Sequence, residues 1–146
     1  MEIVGTVTHL LREKDSRIWS IKPDATVYEA IELMAAKNIG AVPVVDGEKL
    51  LGIVSERDYS RKVILRGKSS KETAVREIMT ERMIVVGPEE TVEHCMRLMT
   101  ERRVRHLPVL ENGQLVGILS IGDLVKWIIP AQNAAIDQLT KYVFGE

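Results

Sequence analysis

Apolar residues at helical spacing mark two helices of the same design. The first helix follows Thr26, a good N-cap, and Glu29 three residues later completes a capping box. The second helix follows Thr91 and has apolar residues at the same offsets. The apolar positions are Val27, Ala30, Ile31 and Met34 in the first helix, and Val92, Cys95, Met96 and Met99 in the second. This spacing puts them on one face of each helix, which we expect to be buried.

Two short runs of mainly apolar residues, separated by a turn, follow each predicted helix. The turns lie at Asp46-Gly47 and at Asn112-Gly113, pairs that favour tight hairpins. The predicted strands are residues 41–45 and 50–54 in the first region, and residues 106–110 and 115–119 in the second. The pattern therefore predicts one antiparallel hairpin after each helix.

The two regions are copies of one unit. A shift of 65 residues places residues 18–64 over residues 83–129 without a gap, with about 13 identities in about 47 positions. The matched residues include Pro23, Thr26, Pro43, Gly52, Ser55 and Asp58 in the first copy, and Pro88, Thr91, Pro108, Gly117, Ser120 and Asp123 in the second. Ser55 and Ser120 are N-caps before final helices. Each copy is thus predicted to fold as helix, strand, strand, helix.

Neither copy can bury both faces of so small a sheet alone, whereas two copies packed together can. We therefore predict an α+β fold in which the copies form a pseudo-twofold pair. The linker includes a helical turn near residues 75–79, and the N-terminal arm is helical at residues 6–11. The predicted boundaries are 1–17 for the arm, 18–65 for the first copy, 66–82 for the linker, 83–129 for the second copy, and 130–146 for a C-terminal helix.

Composition and charge exclude several classes of protein. Lysine and arginine number 20 against 21 acidic residues, so the net charge is -1 and gives no general attraction to nucleic acid or to an anionic membrane. No apolar run approaches the roughly 20 residues that span a bilayer. The single Cys95 excludes an internal disulfide, and the three histidines lack metal-ligand spacing, so we expect no metal site. With no secretion signal, the expected location is the cytoplasm.

Two pairs of sequence strings carry a family resemblance. Residues 38–45 with 52–58, and residues 103–110 with 117–123, resemble the CBS (cystathionine-β-synthase) domain, which occurs in tandem as the Bateman module. The resemblance covers residues 18–129. It implies two domains, each a small β-sheet with two helices, and two clefts that bind adenosine-containing ligands such as AMP, ADP, ATP, NAD or S-adenosylmethionine. It also implies a stand-alone homodimer that regulates an enzyme or transporter.

The string Gly-apolar-apolar-Ser-x-x-Asp supplies the central site residues. By the resemblance, the Ser55 hydroxyl meets phosphate and the Asp58 carboxylate accepts hydrogen bonds from ribose in one cleft. Ser120 and Asp123 do the same in the other. A helix start attracts anions, and a carboxylate has acceptors for a vicinal diol. However, Ser-x-x-Asp is also a capping box, which would explain both pairs without a ligand. The two interpretations stay open for the serines and are decided by the aspartates.

Further contacts are expected around the adenine. Because Pro43 and Pro108 lack an N–H, we expect sheet pairing to be interrupted there. The freed backbone groups could then contact the adenine edge, while two apolar side chains pack on its face. The proposed adenine contacts are Ala41, Val42, His106 and Leu107 for the edge, and Ile21 and Val86 for the face. Ordinary core packing is an equally good interpretation of Ile21, Val42, Val86 and Leu107.

Phosphates also require cations. The candidates are Lys22, Arg57 and Arg61 in the first copy, and Arg103, Arg105 and His106 in the second. The alternative for the basic run at 102–106 is a solvated surface. We find no nucleophile with a general base nearby, and Cys95 lies on the apolar helix face, so we expect no enzymatic activity and no catalytic cofactor. The expected function is a nucleotide sensor, with a ligand-free interaction scaffold as the alternative.

Overall fold

The computed structural model describes residues 3–14 and 17–129. Its two halves repeat the helix–hairpin–helix plan, and the α+β class predicted above is confirmed. The predicted C-terminal helix at 130–146 lies outside the described residues. Within the described ranges, no helix is long and apolar enough to cross a membrane.

The helices and strands agree closely with the predicted ones. The elements before and in the first copy are α1 (Val7–Glu13), α2 (Val27–Lys37), β1 (Ala41–Asp46), β2 (Lys49–Ser55) and α3 (Glu56–Tyr59), which continues as a π-helical segment at Ser60–Ile64. After a 3₁₀ turn in the linker (Val75–Glu77), the second copy has α4 (Val92–Arg102), β3 (His106–Glu111), β4 (Gln114–Ser120) and α5 (121–129).

Caps fix both ends of the long helices. The Thr26 hydroxyl accepts the Glu29 N–H at 3.1 Å and the Glu29 carboxylate accepts the Thr26 N–H at 3.0 Å, so the predicted capping box is confirmed. Both helices end on a left-handed residue, Asn38 with φ 54° and Arg103 with φ 55°. These residues turn the chain into the loops before β1 and β3, which line the cavities described below.

The hairpins pass through their prolines without a break, so the predicted interruption of sheet pairing is wrong. Pro43 pairs with Ile53, and the register shifts only between Val44 and Val45. The carbonyl of Pro43 accepts the Ile21 N–H at 3.0 Å, which shows that its backbone polar edge faces away from β2. The missing N–H therefore costs the β1–β2 ladder nothing. Pro108 has the same arrangement in the second copy.

Each copy has its own hydrophobic core, completed by a segment from outside the aligned repeat. Val75 and Ile78 of the linker are fully buried in the first core, and Val7 and Leu10 of α1 are buried in the second. Paired backbone hydrogen bonds hold these segments in equivalent ways, from residues 73–75 to 25–27 and from residues 5–7 to 90–92. The N-terminal arm and the linker are thus structural counterparts.

Candidate functional site

Two cavities lie between the copies, and each is built from both of them. The first cavity has a volume of about 520 Å³ and contains Ser55 and Asp58 at the start of α3. Its opposite walls are the linker residues 80–84 and the loop 103–106 of the second copy. The first cavity therefore joins a helix start from one copy to a loop from the other.

The second cavity has the corresponding construction on the other side of the pseudo-twofold axis. Its volume is about 350 Å³, and it contains Ser120 and Asp123 at the start of α5. Residues 38–41 of the first copy and residues 14–19 with the gap at 15–16 complete its described walls. Gly40 and His106 line both cavities, so the two sites are neighbours. The predicted separation of the two Ser–Asp pairs into two clefts agrees with this geometry.

The Asp58 carboxylate is buried and hydrogen-bonded on both oxygens. Its Oδ2 accepts the N–H of Ser55 at 2.9 Å and the Ser55 hydroxyl at 3.0 Å. Its Oδ1 lies 2.9 Å from the Lys62 ammonium and accepts the Thr80 hydroxyl at 3.3 Å. Since a carboxylate has about four acceptor positions, these four contacts fill them. The capping interpretation of Asp58 is therefore observed, and a ribose contact would require Lys62 or a hydroxyl to leave.

The Asp123 carboxylate has an acceptor left. Its Oδ2 accepts the Ser120 N–H at 2.8 Å and lies 2.8 Å from the Lys14 ammonium, whereas Oδ1 has no partner among the described residues. Lys14 also donates to the carbonyl of Ile118 at 2.5 Å. Asp123 therefore combines a cap with an ion pair to the N-terminal arm. Lys14 was missed by the sequence analysis, because it lies outside the aligned repeat.

His106 separates the two cavities as a neutral ring. Burial, followed by the nearby Lys14, lowers the pKa of His106 below its usual value of 6.5. At pH 7 the imidazole can donate one hydrogen bond to a phosphate, but it adds no positive charge. This differs from its predicted role as a cation. Burial also raises the pKa of the Cys95 thiol to about 11, as befits a core cysteine.

The structure divides the predicted site residues into two groups. Those that line a cavity are Ala41, Ser55, Arg57, Asp58, Arg105, His106, Ser120 and Asp123. Those that line neither cavity are Ile21, Lys22, Val42, Val86 and Leu107. Val42, Val86 and Leu107 are core residues with at most 3% exposure, Ile21 packs against the first core, and Lys22 is exposed away from both sites. For the four apolar residues, core packing is the observed role.

The assignment of cations by copy is also wrong. Because each cavity takes its loop from the opposite copy, Arg57 and Arg61 share the first cavity with Arg103 and Arg105. The basic residues of the second cavity come instead from the segment before the first copy, at Lys14 and Arg17. The sequence therefore named most of the cations of the first cavity but placed them in two sites.

Paired repeats with two cavities between them, each holding a capped Ser-x-x-Asp helix start, define a tandem regulatory-domain architecture. The family model for the CBS domain matches residues 11–64 and 75–130. The chain therefore belongs to the CBS-domain family and carries two such domains, which confirms the resemblance found in the sequence.

Similar proteins support this assignment over most of the chain. The mitochondrial CBS domain-containing protein CBSX3 of Arabidopsis thaliana is 39% identical over 96% of this chain and 72% of its own length. The structure of a Burkholderia ambifaria MC40-6 protein with CBS domains is 51% identical, with a TM-score of 0.85, covering 88% of this chain and 96% of that one.

One similar structure contains ligands. The CBS domain pair of protein MJ0100, in complex with 5′-methylthioadenosine and S-adenosyl-L-methionine, has a TM-score of 0.76 to this chain. It covers 85% of this chain and 99% of that one at 24% identity, a level at which the likeness concerns the fold.

Proposed function

We propose that this chain is a regulatory sensor without enzymatic activity, which binds adenosine-containing nucleotides such as AMP, ADP, ATP or NAD in the two cavities and signals their presence to a partner. The observation that carries the proposal is the composition of the first cavity. Arginines from both copies face Ser55 across a space of about 520 Å³, large enough for a drug-sized ligand. The adenosine complex of a similar fold gives the ligand class.

The cavity walls offer complementary chemistry for the parts of a nucleotide. Guanidinium groups such as Arg57 and Arg105 bind phosphate oxygens in pairs of hydrogen bonds. In the second cavity, Trp19 and Ile39 provide an apolar wall for a purine, and the remaining acceptor of Asp123 can receive a ribose hydroxyl. Anion, sugar and base thus each have a counterpart.

Signalling follows from the position of the cavities between the copies. A ligand shifts an equilibrium only if it binds one arrangement better than another. Arg57 belongs to the first copy and Arg105 to the second, so a phosphate group held by both favours the arrangement that brings them together. The partner that reads this change would be a regulated enzyme or transporter.

One observation favours the alternative of a ligand-free interaction scaffold. All four acceptor positions of Asp58 are filled by groups of the chain itself. Such a carboxylate stabilises the start of α3 whether or not a ligand ever binds. The scaffold predicts no thermal shift with any adenine nucleotide, whereas the sensor predicts stabilisation that grows with ligand concentration.

Replacing either site aspartate with asparagine tests the sensor directly. Asp58→Asn and Asp123→Asn keep an acceptor oxygen for the cap but remove the charge, so the fold should persist while nucleotide affinity falls about tenfold in the altered cavity. Isothermal titration calorimetry with AMP, ADP, ATP, NAD and S-adenosylmethionine measures this. The matched control is Asp46→Asn, an exposed aspartate in neither cavity. Unchanged affinity in both site variants would refute the assignment.

We also propose that the chain forms a homodimer through its final helices. Ile121, Val125 and Ile129 form a stripe on α5 with 43–49% exposure, and Ile64 and Leu65 are still more exposed at the equivalent end of the first copy. Exposed apolar residues at spacing i, i+4, i+8 are typical of a helix face that packs against another surface.

Val125→Glu is expected to convert the dimer into a monomer, because a buried unpaired carboxylate opposes association. Light scattering after size-exclusion chromatography measures the mass. Lys126→Glu places the same side chain one residue further along α5, at an exposed position, and should leave the dimer intact. A dimeric Val125→Glu variant would contradict this interface.

A further inference from the structure

Five arginines converge on the first cavity from three separate parts of the chain. Arg57 and Arg61 come from the helix after β2, Arg82 from the linker, and Arg103 and Arg105 from the loop before β3. Sequence separation of up to 48 residues excludes a simple basic run, since the fold itself brings the three segments together. A charge concentration made by tertiary structure calls for a reason beyond surface solubility.

These guanidinium groups are not neutralised within the protein. None of the five makes a hydrogen bond or ion pair with another residue in the described ranges 3–14 and 17–129, although other arginines there do, such as Arg97 with Glu93 at 3.3 Å. The carboxylates lining the same cavity are Glu56 and Asp58, and Asp58 is already paired with Lys62. The first cavity therefore keeps a large excess of positive charge.

The second cavity has a different character. Its basic side chains are Lys14, which is paired with Asp123, and Arg17, which lies 5.7 Å from the centre of the Trp19 ring. The remaining described walls are mainly apolar, with Ile39 and Ile118 among them. Nothing here resembles the arginine cluster opposite.

We infer that the two cavities divide ligands by charge: the first takes a nucleotide with two or more phosphates, and the second takes a nucleoside with one phosphate or none. The inference rests on the proposed function for the adenosine part of the ligand. A single phosphate has room for two or three guanidinium partners, whereas five guanidinium groups and Lys62 match the three to four negative charges of a nucleoside di- or triphosphate.

A phosphate series measured on the full chain tests the division. Adenosine, AMP, ADP, ATP and inorganic tripolyphosphate are titrated by calorimetry in EDTA at two salt concentrations. Affinity for the first cavity should rise about tenfold with each added phosphate. The dependence on salt should steepen in the same order, because screening weakens charge pairs.

Charge-removing variants identify the cavity. Arg57→Gln with Arg105→Gln should lower ATP affinity about a hundredfold and leave adenosine binding unchanged, while Arg97→Gln, an arginine in neither cavity, has no effect. Asp123→Asn should weaken adenosine or AMP binding and leave ATP unchanged.

Three outcomes would overturn the inference, and they are distinct from failure of the proposed function. They are equal affinity for AMP and ATP, ATP binding that survives loss of Arg57 and Arg105, or ATP binding abolished by Asp123→Asn. Tripolyphosphate binding without binding of any adenosine compound would instead support the charge division and refute the adenosine sensor. If no compound binds at all, both proposals fail.

Discussion

Leu107→Ala is expected to lower the free energy of unfolding by about 3 kcal/mol, because removing a fully buried leucine leaves a cavity that its neighbours only partly fill. Leu107 directly follows His106, which lines both nucleotide cavities, and its sequence position made it a candidate for adenine binding. The core interpretation predicts that the folded fraction binds nucleotides with unchanged affinity. Urea denaturation and calorimetry measure the two quantities separately.

The hairpin provides matched controls for this variant. Leu119 lies opposite Leu107 across β3 and β4, is equally buried, and lines neither cavity, so Leu119→Ala should cause a similar loss of stability. Leu107→Met keeps the volume and should cost less than about 1.5 kcal/mol. If Leu107→Ala weakened nucleotide binding while Leu119→Ala did not, Leu107 would belong to the site after all.

The local structure was predictable because each copy carries strong local signals. The capping box at Thr26, the turn at Asp46-Gly47 and the N-cap at Ser55 each act within a few residues, so they specify helix starts and hairpins without knowledge of the rest of the chain. The duplication then doubled the evidence, since the second copy repeats these signals in register.

The composition of the cavities was not predictable in the same way, because it depends on how the copies pack. Arg57 and Arg105 are 48 residues apart, and no local pattern indicates that they face one space. Asp58 shows a related difficulty. Its spacing from Ser55 predicts a cap and a ribose contact equally well, and Lys62 and Thr80 fill its other oxygen from positions outside the motif.

The role of the arm and linker had a signal that the alignment of 65 residues missed. A shift of 68 residues places Val7, Leu10 and Leu11 over Val75, Ile78 and Met79. The same shift places Lys14 over Arg82, and each of these cations lines the cavity on its own side. The duplicated unit is thus longer than the ungapped alignment indicates, with a three-residue difference in length between the two segments and their copies.

This equivalence allows a matched test of how the segments pack. Gly52 and Gly117 occupy the same position in β2 and β4, opposite Val44 and Val109. A Cβ on Gly52 would lie 2.7 Å from the backbone oxygen of Thr80, whereas a Cβ on Gly117 would lie 2.7 Å from a terminal methyl of Leu11. Backbone cannot move aside as a side chain end can, so identical substitutions have unequal consequences.

Gly52→Ala is therefore expected to lower the free energy of unfolding by about 3 kcal/mol, and Gly117→Ala by about 1 kcal/mol. The displaced Thr80 carbonyl also accepts the Ile53 N–H at 3.0 Å, and the Thr80 hydroxyl donates to Asp58. Loss of the linker from the edge of β2 should thus weaken ligand binding in the first cavity as well. Urea midpoints and ATP titrations of the two variants measure both effects. Equal losses of stability would show that the linker yields as readily as the side chain of Leu11.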